Sequence, residues 1–302
     1  MLNTSNIDAH EGVLWVFVYL PTAISSNAYS PLIESTLPPI IGELALEKQA
    51  LNETVMRAVR VLISTQEAGL LLPPILDGCV SLCNNTRGIC IELLGDILYK
   101  LAGSIEVVEK AEAHLAQALM PDTRREVLSV LYFTRCDASC SNVRNQALTV
   151  WKNVVSNTPK TLRFIMPELT SQITKGLASD DLDAQQTAGR CLAELSSKLG
   201  ESILKQVLPL FEDQLMRSSD LNIHRGVCIG LNEVISNLAK ENFSGNLLKL
   251  VTINRIALCS DDTSVQELAA ECFQSLYSQM GTDVLDNIVP SLLAQIGDPA
   301  TH

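Results

Sequence analysis

The strings NVRNQALTVW (Asn142–Trp151), DAQQTAGRCL (Asp183–Leu192), NIHRGVCIGL (Asn222–Leu231) and SVQELAAECF (Ser264–Phe273) are four copies of one pattern. Val143, Ala147 and Trp151 fall over Ala184, Ala188 and Leu192, then over Ile223, Val227 and Leu231, then over Val265, Ala269 and Phe273. The steps between copies are 41, 39 and 42 residues. Apolar positions four apart make one stripe of a helix, so each copy predicts one helix with one buried face. A second column lies between them, in Ile165-Met166-Pro167, Val207-Leu208-Pro209 and Ile288-Val289-Pro290. A period near forty built from two helices predicts an all-α, HEAT-type helical-repeat solenoid of about seven helix pairs.

Working outward, the same alternation continues toward the N-terminus. His10 to Leu20 reads as a buried helix stopped at Pro21, followed by a loop through Ser30. Leu32–Leu44 with Pro38-Pro39 and Gly69–Cys83 with Pro73-Pro74 are of the proline-bearing type. Gln49–Gln66 and Arg87–Ala102 are their partners. Residues 104–120 are charged and alanine-rich, a solvated helix, insertion or linker. Thr123–Thr134 and Asn142–Ser156 form the next pair. Thr158-Pro159 predicts a helix opening with Thr158 as N-cap and proline in the first helical position. Asp180-Asp181, Asp220 and Asp261-Asp262 sit where acids favour a helix N-terminus. Gly200 and Gly281 are placed to close helices. The chain opens on a partner-type helix and closes on a proline-type one, Val284–Ile296. It therefore reads as a single solenoid over 1–302, incomplete at both ends, because a free-standing array needs capping repeats.

The chain has 302 residues and a formal charge of −12, which disfavours DNA or other nucleic acid over the whole surface. The charge is uneven. Residues 121–175 hold eight basic residues (Arg124, Arg125, Arg135, Arg144, Lys152, Lys160, Arg163 and Lys175) against four acids. That sector carries a surplus of +4 in an otherwise acidic chain. Nine cysteines without a CxxC spacing and without nearby histidines read as small packing residues in a reducing, cytoplasmic setting. The apolar run Val13–Leu20 is too short for a membrane span.

Motifs for nucleotide binding, zinc proteolysis and serine hydrolysis are missing, and four histidines leave little general-base capacity. A di-iron hydroxylase site would need several His-Glu dipeptides, whereas the chain has one, His10-Glu11. His224 reads as a hydrogen-bonded helix residue, Trp151 and Trp15 as core. Arg144 reads as a rung of a ladder running along the repeats. No catalytic, cofactor or metal site is expected. Arg124, Arg125, Lys152, Lys160, Arg163 and Lys175 remain as candidate contacts to the phosphates of a ribonucleoprotein, which require cations on one face and little else.

The strings HEGVLWVFVYLP (His10–Pro21), LLGDILYKLAG (Leu93–Gly103), VWKNVVSNTPKTLR (Val150–Arg163), KLGESILKQVLPLFED (Lys198–Asp213) and RGVCIGL (Arg225–Leu231) go beyond a generic repeat. Together they resemble the very large HEAT-repeat translational activator of the general amino-acid control pathway. That resemblance implies a non-enzymatic scaffold that binds ribosomes during amino-acid starvation. It also implies support for activation of the kinase acting on the alpha subunit of initiation factor two. The family's kinase-docking segment lies nearer its C-terminus, outside the matched strings. The alternative in another class is an importin-like adaptor holding a peptide on its concave face.

Overall fold

The computed structural model describes residues 7–103, 108–243 and 245–281. Every regular element among them is helical. The closing helix expected at Val284–Ile296, with Pro290, lies outside the described residues. The helices cluster into two compact units that divide between Leu169 and Thr170.

In the first unit the elements are α1 (Ile7–Ala23), the short α2 (Ser26–Tyr29), α3 (Ile33–Gly42), α4 (Gln49–Thr65), α5 (Ala68–Cys79), α6 (Asn84–Ala102), α7 (Val108–Ala118), α8 (Pro121–Thr134), α9 (Ser141–Val154) and the start of α10 (Thr158–Leu177). α1 lies along α4, α3 on α5, α5 on α6, and α6 on α9. The second unit holds α11 (Leu182–Leu199), α12 (Glu201–Arg217), α13 (Leu221–Asn237), α14 (Leu247–Leu258) and α15 (Thr263–Met280). Here α11, α13 and α15 form one row, and α12 and α14 form the other. The repeat columns account for this. Val143, Ala147 and Trp151 are buried in α9, Ala188 and Leu192 in α11, Val227 and Leu231 in α13, and Val265 and Ala269 in α15. Small and aliphatic residues every fourth position let neighbouring helices approach and exclude water along one stripe.

The prolines sit inside their helices without ending them. Pro38, Pro39, Pro73, Pro167 and Pro209 are exposed, while Leu37, Ile40, Leu72, Ile75, Ile165, Val207 and Leu208 face inward. The carbonyl that loses its helical donor on the solvent side can turn to water, which makes an internal proline tolerable there.

Three local expectations are corrected. Pro21 does not stop α1; the helix runs on to Ala23. Proline in the last turn removes only one intrahelical bond, and the ring is buried among neighbours. The segment before Ser30 is not a loop, since Ser26–Tyr29 is one helical turn. The N-cap of α10 is Asn157, whose Oδ1 accepts from Lys160 N at 3.0 Å. Thr158 is occupied otherwise, accepting from the Trp151 indole at 3.1 Å. The charged stretch after 103 contains the helix α7, which is mostly exposed but buries Ala111 and Leu115 against the bundle. Gly200 and Gly281 close α11 and α15 with φ of 56° and 66°.

A repeated turn holds each helix pair. In the second unit Asp181, Asp220 and Asp262 cap α11, α13 and α15, accepting from Ala184 N, Asn222 N and Val265 N at 2.8, 2.9 and 3.0 Å. The serine two residues earlier accepts from each aspartate's own N–H, at 3.1, 3.1 and 3.3 Å. One turn into each helix a side chain reaches back six residues to that serine's carbonyl. Gln185 reaches Ser179 at 3.0 Å, His224 reaches Ser218 at 2.9 Å, and Gln266 reaches Ser260 at 2.7 Å. His224 is thus a turn-closing donor through Nε2. Before α6 and α9 of the first unit a cysteine without a side-chain cap bond stands where the capping aspartate does, and arginine replaces the reaching residue. Arg87 bonds the carbonyls of Ser81 and Leu82, and Arg144 those of Ala138 and Asp137. Arg144 therefore closes its own turn and is not a rung between repeats. Arg87 supplies the rung.

Candidate functional site

The six expected contact residues meet different fates. Arg124 and Arg125 lie side by side near the start of α8, and both guanidinium groups stand over the ring of Phe164 on α10, at 4.7 and 5.6 Å from its centroid. This cation–π arrangement fixes the direction of two otherwise floppy side chains. Arg125 is further bound to Glu168 at 2.7 Å and to Asp122 at 2.5 Å. Hydrogen bonding to Glu168 raises the already high pKa of its guanidinium, and the two carboxylates compensate its charge.

Lys160 and Arg163 are exposed on the solvent stripe of α10 that continues through Pro167 and Ser171. Lys160 is one turn before Phe164, on the same side of α10; Arg163 directly precedes Phe164 in the chain and points about 100° away around the helix. Lys152 is exposed on α9. Lys175 is exposed in the second unit and stands outside this cluster. Phe164 and Glu168 are the residues that sequence reasoning missed. Both lie on α10 about forty residues from the arginines, and no local pattern links them.

Other candidates resolve structurally. Trp151 is 2% exposed and meets Tyr132 edge to face at 5.0 Å. Trp15, expected in the core, is only half-buried; it stacks on Tyr19 and lies under Arg57 at 5.1 Å. Among the described residues its helix α1 packs mainly on α4. His10 is buried with its Nδ1 2.5 Å from Glu43. Cys79, Cys90, Cys136, Cys191, Cys228 and Cys272 are buried free thiols, in keeping with packing roles. Burial pushes Cys90 and Cys228 up to about 12 and raises Cys79 and Cys272 as well. Among the described residues no group of three or more His, Cys, Asp or Glu could hold a metal, and no helix is long and apolar enough to cross a membrane.

No family model matches the chain. Individual relatives do. It is 35% identical over 304 residues to "Stalled ribosome sensor GCN1" of Mus musculus, covering 95% of this chain and 11% of that protein. It is 32% identical to "eIF-2-alpha kinase activator GCN1" of Dictyostelium discoideum, over 97% of this chain and 12% of the relative. The corresponding Saccharomyces cerevisiae protein is 29% identical, over 94% and 11%. The chain thus spans about a tenth of the length of the curated relatives it matches. In sequence, over nearly its whole length, this helical-repeat chain resembles a segment of the GCN1 proteins.

Proposed function

We propose that this chain is a non-enzymatic scaffold in translational control, acting in the cytoplasm by binding ribosomes. It supports activation of the kinase that phosphorylates the alpha subunit of initiation factor two during amino-acid starvation, with the kinase engaged outside this segment. The observation that carries the reading is the similarity to proteins named for stalled-ribosome sensing and for kinase activation, across 94–97% of the chain. The exposed cations Lys160 and Arg163 of α10 and Lys152 of α9, with Arg124 held on Phe164, offer phosphate contacts. Arg125 contributes less, because Glu168 and Asp122 already neutralise it. Lys175 is a separate contact on the second unit.

The test is co-sedimentation of the whole chain with purified ribosomes across a salt series. Three phosphate contacts weaken binding roughly 20- to 40-fold between 50 and 200 mM salt. Failure to pellet with ribosomes at the lowest salt contradicts the proposal.

A further inference from the structure

The turns that open α11, α13 and α15 lie along one edge of the second unit, because these helices form one row and α12 and α14 return between them. Leu182, Met216, Leu221 and Leu258 are 36–68% exposed at that edge. Their places repeat. Leu182 and Leu221 each follow the capping aspartate directly, while Met216 and Leu258 each stand two residues before the turn serine. A single exposed aliphatic residue is ordinary, but equivalent positions on packed neighbours make an apolar stripe.

The same edge is acidic. Residues 177–185, 214–224 and 256–265 hold Asp180, Asp181, Asp183, Asp220, Asp261 and Asp262 against one guanidinium, Arg217. Arg217 is itself bound to Asp213 at 2.6 Å. One turn further from the edge the charges balance, Lys175, Arg225 and Arg255 against Glu212, Asp213 and Glu267. The opposite edge, residues 196–205 and 237–249, is the reverse, with four lysines against Glu201 and Glu241. Asp181, Asp220 and Asp262 are occupied as caps. Asp180, Asp183 and Asp261 are exposed, and no hydrogen bond or ion pair holds their carboxylates among the described residues. No group of these carboxylates could hold a metal ion among the described residues, so several separate cations suit the edge better than one ion.

We propose that this edge docks a cationic segment of another protein with an aliphatic side chain at every third residue. Neighbouring helices of a row lie about 8–10 Å apart, and three residues of extended chain reach about 10 Å. Aliphatic side chains at that spacing cover Leu182, then Met216 with Leu221, then Leu258. The Lys and Arg between them meet Asp180, Asp183 and Asp261. Nucleic acid is repelled by the same carboxylates. The proposal goes beyond the ribosome-contact reading and uses none of its cations.

The test is fluorescence anisotropy with the whole chain and a fluorescein-labelled peptide Gly-Arg-Leu-Lys-Arg-Leu-Lys-Arg-Leu-Gly. Saturable binding is expected. L182S/L221S should weaken it about tenfold through lost apolar contact. D180N/D183N/D261N should weaken it about tenfold through lost charge. The control E34Q/E67Q/E271Q removes the same charge from exposed positions elsewhere and should change the affinity by less than about twofold. None of the substituted aspartates is a cap, and circular dichroism melting checks that each variant is folded. Bound peptide should also slow alkylation of Cys259, which is exposed beside Leu258. Absence of saturable binding up to millimolar peptide overturns the proposal. So does equal binding of the peptide with Ser for Leu, which would reduce the effect to charge, or with Gln for Arg and Lys, which would leave the edge merely apolar. Equal losses in the two triple variants, or unslowed alkylation of Cys259, would place the peptide elsewhere and overturn it too. Self-association in sedimentation that L182S/L221S abolishes would assign the edge to a second copy of the chain instead.

Discussion

The Nε of Arg87, in the first turn of α6, donates to the Oδ2 of Asp137 at 2.7 Å, across fifty residues of chain. Both side chains are almost fully buried. Arg87 also holds Ser81 O, Leu82 O, Asn84 Oδ1 and Ser139 Oγ. Asp137 Oδ1 accepts from Cys140 N at 2.7 Å and Ser139 N at 3.0 Å, and so fixes the turn that leads into α9. One ion pair therefore joins the turn before α6 to the turn before α9. Removing one partner leaves a buried charge unpaired, which costs about 3–5 kcal/mol. D137A should lower the free energy of unfolding by that amount, and R87L/D137A should recover part of it. Near-neutral behaviour of D137A in a denaturant melt would show that the pair is not a structural rung.

Capping in the second unit predicts smaller, local effects. D181A, D220A and D262A each remove one bond to an orphan N–H at the start of a helix. Each should cost about 1 kcal/mol of stability by chemical denaturation. Replacing any of them with Asn or Ser should restore most of the loss.

Much of this was legible in the sequence, and the reasons differ by scale. The repeat columns around Val143, Ala184, Ile223 and Val265 are local periodicities, so they predict helices and buried faces directly. The aspartates before α11, α13 and α15 announce their caps for the same reason. The Arg87–Asp137 rung could not be read, because its partners are fifty residues apart and lie outside the columns. Arg144 was the natural choice for a rung by position in the column, yet it bends back to its own turn. The basic sector was visible as composition. Its internal neutralisation by Glu168 and its organisation by Phe164 are tertiary facts.

Gly226 in α13 faces the end of α10. A Cβ there would lie 2.8 Å from both the carbonyl carbon and oxygen of Leu177 and 2.9 Å from Ala178 N. Backbone must shift to admit it, so G226A should destabilise by about 1–3 kcal/mol. Gly189 faces only the flexible Glu233 side chain, at 3.4 Å, so G189A should cost less. Equal effects in thermal melts would contradict the close approach.

Desolvation raises the Glu233 pKa above its ordinary value. A carboxyl whose folded pKa is raised binds its proton more tightly when folded. Its contribution is therefore most favourable below the unfolded pKa and is lost as pH rises through the folded one. E233Q should raise the melting temperature at pH 7 and lose that advantage near pH 4. A gain of equal size at both values would point to a cause other than ionisation.

Thiol chemistry separates surface from core. Thiols held near 12 carry almost no thiolate at neutral pH. Cys259, which is exposed, should react with iodoacetamide at pH 7.5 while Cys90 and Cys228 stay unmodified until denaturant is added. Mass spectrometry of the alkylated native chain reads this directly.

Two charge reversals, compared in ribosome co-sedimentation at low salt, decide whether the cations of α9 and α10 touch the ribosome. K152E/K160E/R163E alters the exposed cations of α9 and α10, and K205E/R217E alters as surface-exposed a set on α12. Loss of pelleting in the first with retention in the second is the predicted result. Equal retention in both, with circular dichroism showing folded chains, would contradict a ribosome contact at the start of α10.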